Sequence, residues 1–135
     1  MTMDIKPDTK IIEFQSEFIT LFPNLKIEFF TRPHEEGGTS WSKYMHFKRT
    51  KTLGEIGQVQ GESTLEFTPQ MTTGAFEQAL WQKYALAVQV FRKSMGTYIE
   101  STKSDKWTLE EQNKDGYEAS HNIMQMVYEQ RTNED

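Results

Sequence analysis

The chain has 135 residues, of which 36% are hydrophobic and 13% aromatic, so it is long and apolar enough to fold as one domain with its own core. It contains no cysteine, which excludes disulfides, a thiolate nucleophile and a cysteine-based metal site. Its formal net charge is −5, so a general affinity for the nucleic acid backbone is not indicated. The sequence shows neither the apolar core of a signal peptide nor a run as long as a membrane span, and we therefore expect a cytoplasmic protein without membrane association.

The first predicted element is a helix that begins with Asp8 or Thr9 as its cap. Apolar residues recur at helical spacing as far as Phe22, and a proline then ends the helix. Residues 25–30 alternate between apolar and polar side chains and predict a half-buried strand. Residues 1–7 precede the helix and are predicted to be a flexible end.

Two strand signals and one short helix follow a polar loop. Residues 41–49 alternate in the manner of a second strand. The Thr-Leu-x-Glu run at 52–55 has the spacing of a capping box and predicts one helical turn. Residues 57–60 and 64–68 are predicted to pair with each other as a hairpin.

The middle of the chain carries the clearest local pattern. Thr72 is a good helix cap, and an apolar stripe continues from it to Tyr84. The period then changes to that of a strand at residues 86–91, which are rich in β-branched side chains. Residues 94–96 supply a turn, and residues 97–102 are predicted to return as the second strand of a hairpin.

The last predicted element is a closing helix. A second capping box at Thr108–Glu111 predicts its start, and apolar residues at helical spacing continue through residues 117–128. Residues 132–135 form a polar end that is expected to fray. We therefore predict a single α+β domain over residues 1–135. It has one antiparallel sheet of five or six strands with helices packed on it, in the order α-β-β-β-β-α-β-β-α.

Two parts of the sequence read alike. Residues 14–30 and 76–91 each give a helix followed by a strand, and each part is followed by a further strand and a Thr-Leu-x-Glu run. An internal duplication is one interpretation, and a chance likeness between short amphipathic patterns is the other. Under both, the two helices should lie on the same side of one sheet.

The aromatic residues of the two strands indicate association. Adjacent residues on a strand point to opposite faces, so if Phe29 and Val90 face the core, Phe30 and Phe91 lie on the other side of the sheet. An apolar second face must be covered by helices, a partner subunit or a bound segment. We therefore expect Phe30 and Phe91 to bind a partner, which is either the second copy in a homodimer or a protein client.

A basic stretch at residues 43–51 supports a different hypothesis. Tyr44, His46 and Lys48 would share one face of the predicted strand, which is the kind of surface that binds an anion or single-stranded nucleic acid. A small enzyme centred on the same residues belongs to this alternative. The other interpretation is a solvated strand face whose lysines protect a sheet edge from pairing. The acidic chain as a whole makes nucleic acid binding the weaker of these predictions.

No catalytic motif emerges from the spacing of polar residues. The chain lacks a phosphate-binding glycine loop and a nucleophile elbow. The three histidines, His34, His46 and His121, have no metal-ligand spacing. We therefore predict no catalytic residue, no cofactor and no metal site.

Residues 90–94, Val-Phe-Arg-Lys-Ser, and residues 107–113, Trp-Thr-Leu-Glu-Glu-Gln-Asn, carry a resemblance. They resemble small uncharacterised bacterial proteins in which a Val-Phe-Arg-Lys-Ser-Gly hairpin precedes Trp-Thr-Leu. The present sequence departs from that pattern at Met95 and has Tyr98 in place of a tryptophan. This resemblance implies a bacterial protein but no site residues.

The predicted order of elements is also similar to that of type III secretion chaperones, a family of small acidic homodimers that bind an extended segment of a client. Together with the two apolar sheet faces, this similarity favours a non-enzymatic, chaperone-like binding protein that acts as a homodimer.

Overall fold

A computed structural model describes residues 1–33, 42–94, 97–100 and 106–115. The predicted helix over residues 117–128, the fraying end and two of the three histidines lie outside these ranges. The helices and strands in chain order are β1 (Thr2–Ile5), α1 (Ile11–Leu21), β2 (Leu25–Phe30), α2 (Leu53–Ile56), β3 (Ser63–Glu66), α3 (Thr73–Tyr84), β4 (Ala87–Ser94) and β5 (Thr97–Glu100). Residues 109–115 are also helical.

The α+β class is confirmed, but the predicted single sheet is wrong. The described strands form two antiparallel sheets, one of order β1-β3 and one of order β2-β4-β5. The predicted element order is wrong as well, because a strand precedes the first helix and a helix separates the second strand from the third. Five strands are therefore described, but they are divided between two sheets instead of forming one.

The first helix begins later than predicted. Lys10 is its cap residue, and its backbone N–H donates to a side-chain oxygen of Glu13 at 2.9 Å. Asp8 and Thr9 lie before the helix, and the carbonyl of Thr9 accepts from the backbone N–H of Leu53 at 2.8 Å. The helix start is thus set by a contact with a distant segment, which the local pattern does not show.

The predicted transition from helix to strand in the middle of the chain is confirmed. The Thr72 hydroxyl accepts from the backbone N–H of Ala75 at 3.2 Å and caps α3. The helix ends at Tyr84, and Ala85 takes the left-handed conformation with φ 51° that commonly ends helices. β4 then begins at Ala87 and pairs with β5 in the predicted hairpin, whose last described pair is Ser94 with Thr97.

The core lies where α1 and α3 pack on the three-stranded sheet. Phe14 of α1 meets Phe29 of β2 edge to face, with ring centroids 5.5 Å apart. Phe18 of α1 stacks on Phe76 of α3 at 5.6 Å. All four rings are fully buried, and they join the two helices over one face of the sheet as the sequence predicts.

The amino end is part of the fold, whereas the sequence predicts a flexible segment at residues 1–7. β1 pairs with β3, and its residues Met3 and Ile5 are buried. The amino group of Met1 also donates to the carbonyl of Phe67 at 3.0 Å. The predicted hairpin between residues 57–60 and 64–68 is therefore wrong, because β3 pairs with the amino end instead.

The predicted strand over residues 41–49 is also wrong in its described part. Residues 42–44 form a 3₁₀ turn, and a single bridge joins Met45 to Phe30. A full strand would need the outer edge of β2, but the side chain of Gln15 covers that edge by donating to the carbonyl of Ile27 at 2.8 Å. The helix side chain thus takes the place of a strand partner.

The two halves of the chain repeat the same backbone contacts. Lys10 and Thr52 form an isolated bridge between two helix caps, and Thr72 and Thr108 form the corresponding bridge. Three backbone hydrogen bonds around the first bridge each have a counterpart around the second. In the first half they run from Ile11 N to Lys51 O at 2.9 Å, from Leu53 N to Thr9 O at 2.8 Å and from Gly54 N to Pro7 O at 2.9 Å. Their counterparts in the second half run from Thr73 N to Trp107 O at 2.9 Å, from Leu109 N to Met71 O at 3.0 Å and from Glu110 N to Pro69 O at 2.9 Å.

The strand pairs show the same internal symmetry. Met3 and Leu65 are as far apart in sequence as the two helix caps Lys10 and Thr72, so they are corresponding residues of the two halves. They are also direct partners in the two-stranded sheet. In the larger sheet Ile27 pairs with Val90, and this spacing is one residue greater because α3 is one residue longer than α1. Corresponding strands of the two halves therefore pair antiparallel, as they do across a two-fold axis.

Replacing Gly57 with alanine is expected to lower the free energy of unfolding by about 2 kcal/mol. A Cβ at this position would lie 2.5 Å from Leu86 Cδ2 and 2.7 Å from the Tyr84 carbonyl oxygen, so the end of α2 would have to move away from the start of β4. Urea unfolding followed by circular dichroism measures the loss. Gly61→Ala is the control, because a Cβ there meets nothing within 4 Å. Equal stabilities of the two variants would contradict this account.

Candidate functional site

A groove of about 480 Å³ runs along one side of α3. Six of its lining residues belong to α3 or to its cap, and the others are the first two residues of β4 and two loop residues. The residues that matter for its chemistry are Glu77, Gln78, Trp81, Val88, Pro33 and Lys106. The groove is therefore mixed in character, with an aromatic ring, an acid and a cation on its walls.

Trp81 is the largest exposed side chain of the groove. It lies 39% exposed on α3, off the stripe formed by Phe76 and Leu80, both of which are fully buried. An indole in this position offers a broad apolar surface together with one N–H donor. The helix thus buries one face in the core and presents a tryptophan to the groove with another.

Glu77 is the buried acid of the groove. Only 7% of it is exposed, and its Oε2 accepts from the backbone N–H of Val90 at 2.8 Å. The described pairs of β4 with β5 begin at Phe91, the next residue, so the carboxylate accepts from β4 beside those pairs. Gln15 does the same for Ile27 in the first half of the chain. Both helices therefore use one buried polar side chain to satisfy a strand edge.

In the first half, an arginine of the chain itself occupies the space beside this polar side chain. Arg49 donates from its Nε to Gln15 Oε1 at 3.1 Å and from a terminal nitrogen to Glu28 Oε1 at 2.7 Å. Gln15 Nε2 in turn donates to Glu28 Oε2 at 3.1 Å. The Glu28 side chain is only 3% exposed, so the guanidinium neutralises a buried charge.

The predicted partner-binding residues lie on the side of the sheet that the sequence indicates. Phe30 is opposite Ala87 and Phe91 is opposite Lys26, on the face turned away from Phe29. Phe30 is only 4% exposed, so the chain itself covers it. Phe91 is half-buried, and the Lys26 ammonium lies 5.2 Å from its ring centroid. Of the two, only Phe91 is accessible to a partner.

The predicted anion-binding residues are not assembled on a strand face, because that strand is absent from the described residues. The ring of Tyr44 lies against the guanidinium carbon of Arg32, 3.7 Å from the ring centroid. The backbone N–H of His46 donates to the carbonyl of Phe29 at 2.8 Å. Lys48 is exposed in an irregular segment. Tyr44, His46 and Lys48 therefore do not share one face of a strand, as the prediction requires.

Protonation of His46 is expected to destabilise the fold. Burial, and then the positive charge of Lys51, lower the pKa of His46 below its ordinary value near 6.5. Since the unfolded chain binds this proton more tightly, the contribution of neutral His46 is present above about pH 6.5 and is lost as the pH falls through the folded-state pKa. Urea unfolding between about pH 7.5 and pH 5 should show a weaker pH dependence for His46→Gln. Identical slopes for the variant and the wild type would contradict this assignment.

The predicted helix cap at Thr108 is confirmed. The backbone N–H of Glu111 donates to the Thr108 hydroxyl oxygen at 3.0 Å. Within the described ranges, no group of three or more acidic or histidine residues is placed to hold a metal ion. In the same ranges, no helix combines the length and the apolar character that crossing a membrane requires.

The sequence analysis missed Glu77 and Trp81 as site residues. Trp81 could have been found, because it departs from the helical stripe that buries Phe76 and Leu80. Glu77 gives no such signal, because its role depends on where α3 lies relative to β4. Comparison with known proteins adds no relative: no family model, no curated protein and no solved structure matches the chain. The resemblances drawn from the sequence therefore stay predictions.

Proposed function

We propose that this chain is a non-enzymatic binding protein that holds an extended segment of another polypeptide in the groove along α3. One observation carries this proposal: the groove joins an exposed indole, Trp81, to Ala87 and Val88 at the start of β4. An aromatic anchor beside an extended strand is a combination that suits peptide recognition. The similarity of the predicted element order to that of type III secretion chaperones agrees with this function. The proposed binding surface is the groove, whereas the sequence predicts binding at Phe30 and Phe91.

The shape of the site favours an extended ligand. Ala87 and Val88 of β4 line the groove together with residues of α3. A peptide lying extended along these two residues would contact β4 with its main chain, and alternate side chains would point toward α3. Trp81 would then contact one of these side chains. Affinity would come from the main chain, and selectivity from the helix wall.

Selection from a library of random dodecapeptides, displayed on phage and offered to the immobilised full chain, tests the proposal. Peptides that bind at the groove should bind Trp81→Ala at least about tenfold more weakly than the wild type. Ile19→Ala is the matched control, since Ile19 is 40% exposed on α1 and has the same place in the first half as Trp81 has in the second. Failure to enrich any peptide, or equal affinity for wild type and Trp81→Ala, would overturn the proposed function.

A homodimer remains a separate proposal. The reason for it is the apolar second face of the sheet, on which Phe91 is half-buried and could contact a second copy of the chain. Light scattering on the wild type and on Phe91→Ala tests it. A mass that falls by about half in the variant would support the dimer. A wild-type chain that is monomeric would refute it.

The alternative proposal, anion binding at residues 43–51, has weaker support. Arg49 is engaged with Glu28, and the lowered pKa of His46 keeps that ring neutral at pH 7. Lys48 and its neighbours remain as a basic surface. Titration with inorganic phosphate and with an oligothymidine tests this alternative, which would be supported by binding that Lys48→Ala abolishes.

We further propose that the two halves of the chain arose by duplication. The matched pairs of backbone hydrogen bonds around the cap bridges support this, because such long-range contacts do not follow from short amphipathic patterns.

A further inference from the structure

We infer that the segment bound in the groove carries an aromatic side chain that contacts Trp81 and, two residues away, a carboxylate that pairs with Lys106. This inference rests on the proposed function. Two features of the groove support it. One is the space that Gly74 leaves on α3, on the same groove as the indole, and the other is the positive sign of the groove's exposed charge.

Gly74 leaves open space on the helix wall of the groove. It is the second residue of α3, and Gln78 and Trp81 follow it at helical spacing, all three lining the groove. By the spacing that relates the two helix caps, the corresponding residue of α1 is Ile12, which is 48% exposed. The first half thus accepts a branched side chain where the second half has glycine, although glycine is the poorer helix former. We therefore attribute the glycine to the groove and not to the helix.

The space beside Trp81 suits a flat apolar side chain. The indole is 39% exposed, and the side chains of Ala75, Ala87 and Val88 add small apolar surfaces to the groove. Two aromatic rings attract each other beyond the burial of their surface, in offset-stacked or edge-to-face arrangements. The groove volume of about 480 Å³ also lies within the range of about 300–1,000 Å³ that is usual for ligand clefts. An aromatic ligand side chain can therefore contact the indole and fill the space over Gly74.

The exposed charge of the groove is positive. Lys106 is exposed, and no hydrogen bond or ion pair joins it to another of the described residues. It lies beside the first turn of α3, because the carbonyl of the next residue, Trp107, accepts from the backbone N–H of Thr73 at 2.9 Å. Glu77 also lines the groove, but it is 7% exposed and its carboxylate accepts from Val90 within the fold. The charge that a ligand meets is therefore that of Lys106, which complements a carboxylate.

The positions of Lys106 and Trp81 determine the spacing of the two ligand residues. From Gly74, in the first turn, to Trp81 the helix rises by about 10 Å. Residues i and i+2 of an extended chain point to the same side and stand about 7 Å apart, and their side chains cover the remaining distance. A carboxylate at i+1 would point away from the groove. The inference thus predicts an acidic residue two places from the aromatic one.

Fluorescence anisotropy with three labelled peptides tests the inference. The first is Thr-Glu-Thr-Phe-Thr-Glu-Thr, which has a carboxylate two residues from the ring on either side and therefore suits both chain directions. The second has alanine in place of phenylalanine, and the third has glutamine in place of both glutamates. Compared with the first peptide, we expect the second to bind the wild type at least about tenfold more weakly. The third should bind about threefold more weakly at low ionic strength.

Two variants assign these preferences to residues of the chain. Gly74→Ile introduces the residue of the first half and should weaken binding of the first peptide at least about tenfold, because it fills the groove. Gly61→Ile is its control, since a Cβ there meets nothing within 4 Å. Lys106→Gln should abolish the preference for glutamate over glutamine. Lys83→Gln should retain it, because Lys83 is an exposed lysine of α3 that does not line the groove.

The outcomes separate the inference from the proposed function. If the phage selection yields peptides that depend on Trp81, but the phenylalanine and alanine probes bind equally or none of the three binds, the groove binds polypeptide and the inference is wrong. A glutamate preference that is absent, or that survives Lys106→Gln, also overturns it. So does Gly74→Ile if it leaves binding unchanged or, by urea unfolding, prevents folding. If no probe binds and no selected peptide depends on Trp81, the proposed function fails and the inference fails with it.

Discussion

Phe76→Ala is expected to lower the free energy of unfolding by about 3–5 kcal/mol. The ring is fully buried and joins three elements of the core. Its centroid lies 5.6 Å from that of Phe18 on α1 and 5.3 Å from that of Phe67, which follows β3. Truncation would leave a cavity between these elements. Because domains of this size are stable by about 5–15 kcal/mol, the variant would lose a large part of its stability.

Urea unfolding monitored by circular dichroism measures this effect, with Phe47→Ala as the control. Phe47 is the same residue type but is 67% exposed, so its loss should change the free energy of unfolding by less than about 0.5 kcal/mol. Equal effects of the two substitutions would show that the ring of Phe76 does not have the central packing position described above.

Helix caps were the most predictable feature of this fold. Thr52, Thr72 and Thr108 each accept from a backbone N–H three residues on, as their sequence spacing predicts. Such contacts lie within one turn of the chain and depend on little else. The cap of α1 was not predictable in this way, because Lys10 starts the helix where its backbone bridges to Thr52.

The wrong strand predictions share one cause. An alternating pattern identifies residues that can form a strand, but pairing requires an available edge. The segment at 41–49 meets an edge of β2 that the Gln15 side chain already covers, so its described part pairs only at Met45. β3 pairs instead with the amino end, whose four-residue strand is too short to be recognised by its pattern.

The candidate site was less predictable than the fold. The sequence places Phe30 and Phe91 on the second face of the sheet, and the register confirms it, but Phe30 is covered by the chain itself. The groove arises from the position of α3 relative to the start of β4, which no local pattern encodes. Its buried acid can be interpreted only by comparison with Gln15, once the contacts show that the two halves correspond.

Arg49→Ala is expected to lower the free energy of unfolding by about 3 kcal/mol, because it leaves the Glu28 carboxylate buried without its closest cation. The Glu28 side chain is 3% exposed and lies 2.7 Å from the arginine. We place the effect at the lower end of the usual range for a broken buried pair, because the Arg49 side chain is 43% exposed and Lys26 remains 3.6 Å from the carboxylate. Urea unfolding at pH 7 measures the loss.

The double variant Glu28→Gln with Arg49→Ala separates the charge from the packing of the arginine. A neutral amide can still accept from Gln15 Nε2, so the double variant should regain most of the stability that Arg49→Ala loses. If it stays as unstable as the single variant, the stem of Arg49 stabilises the fold by covering apolar surface, and its charge contributes little.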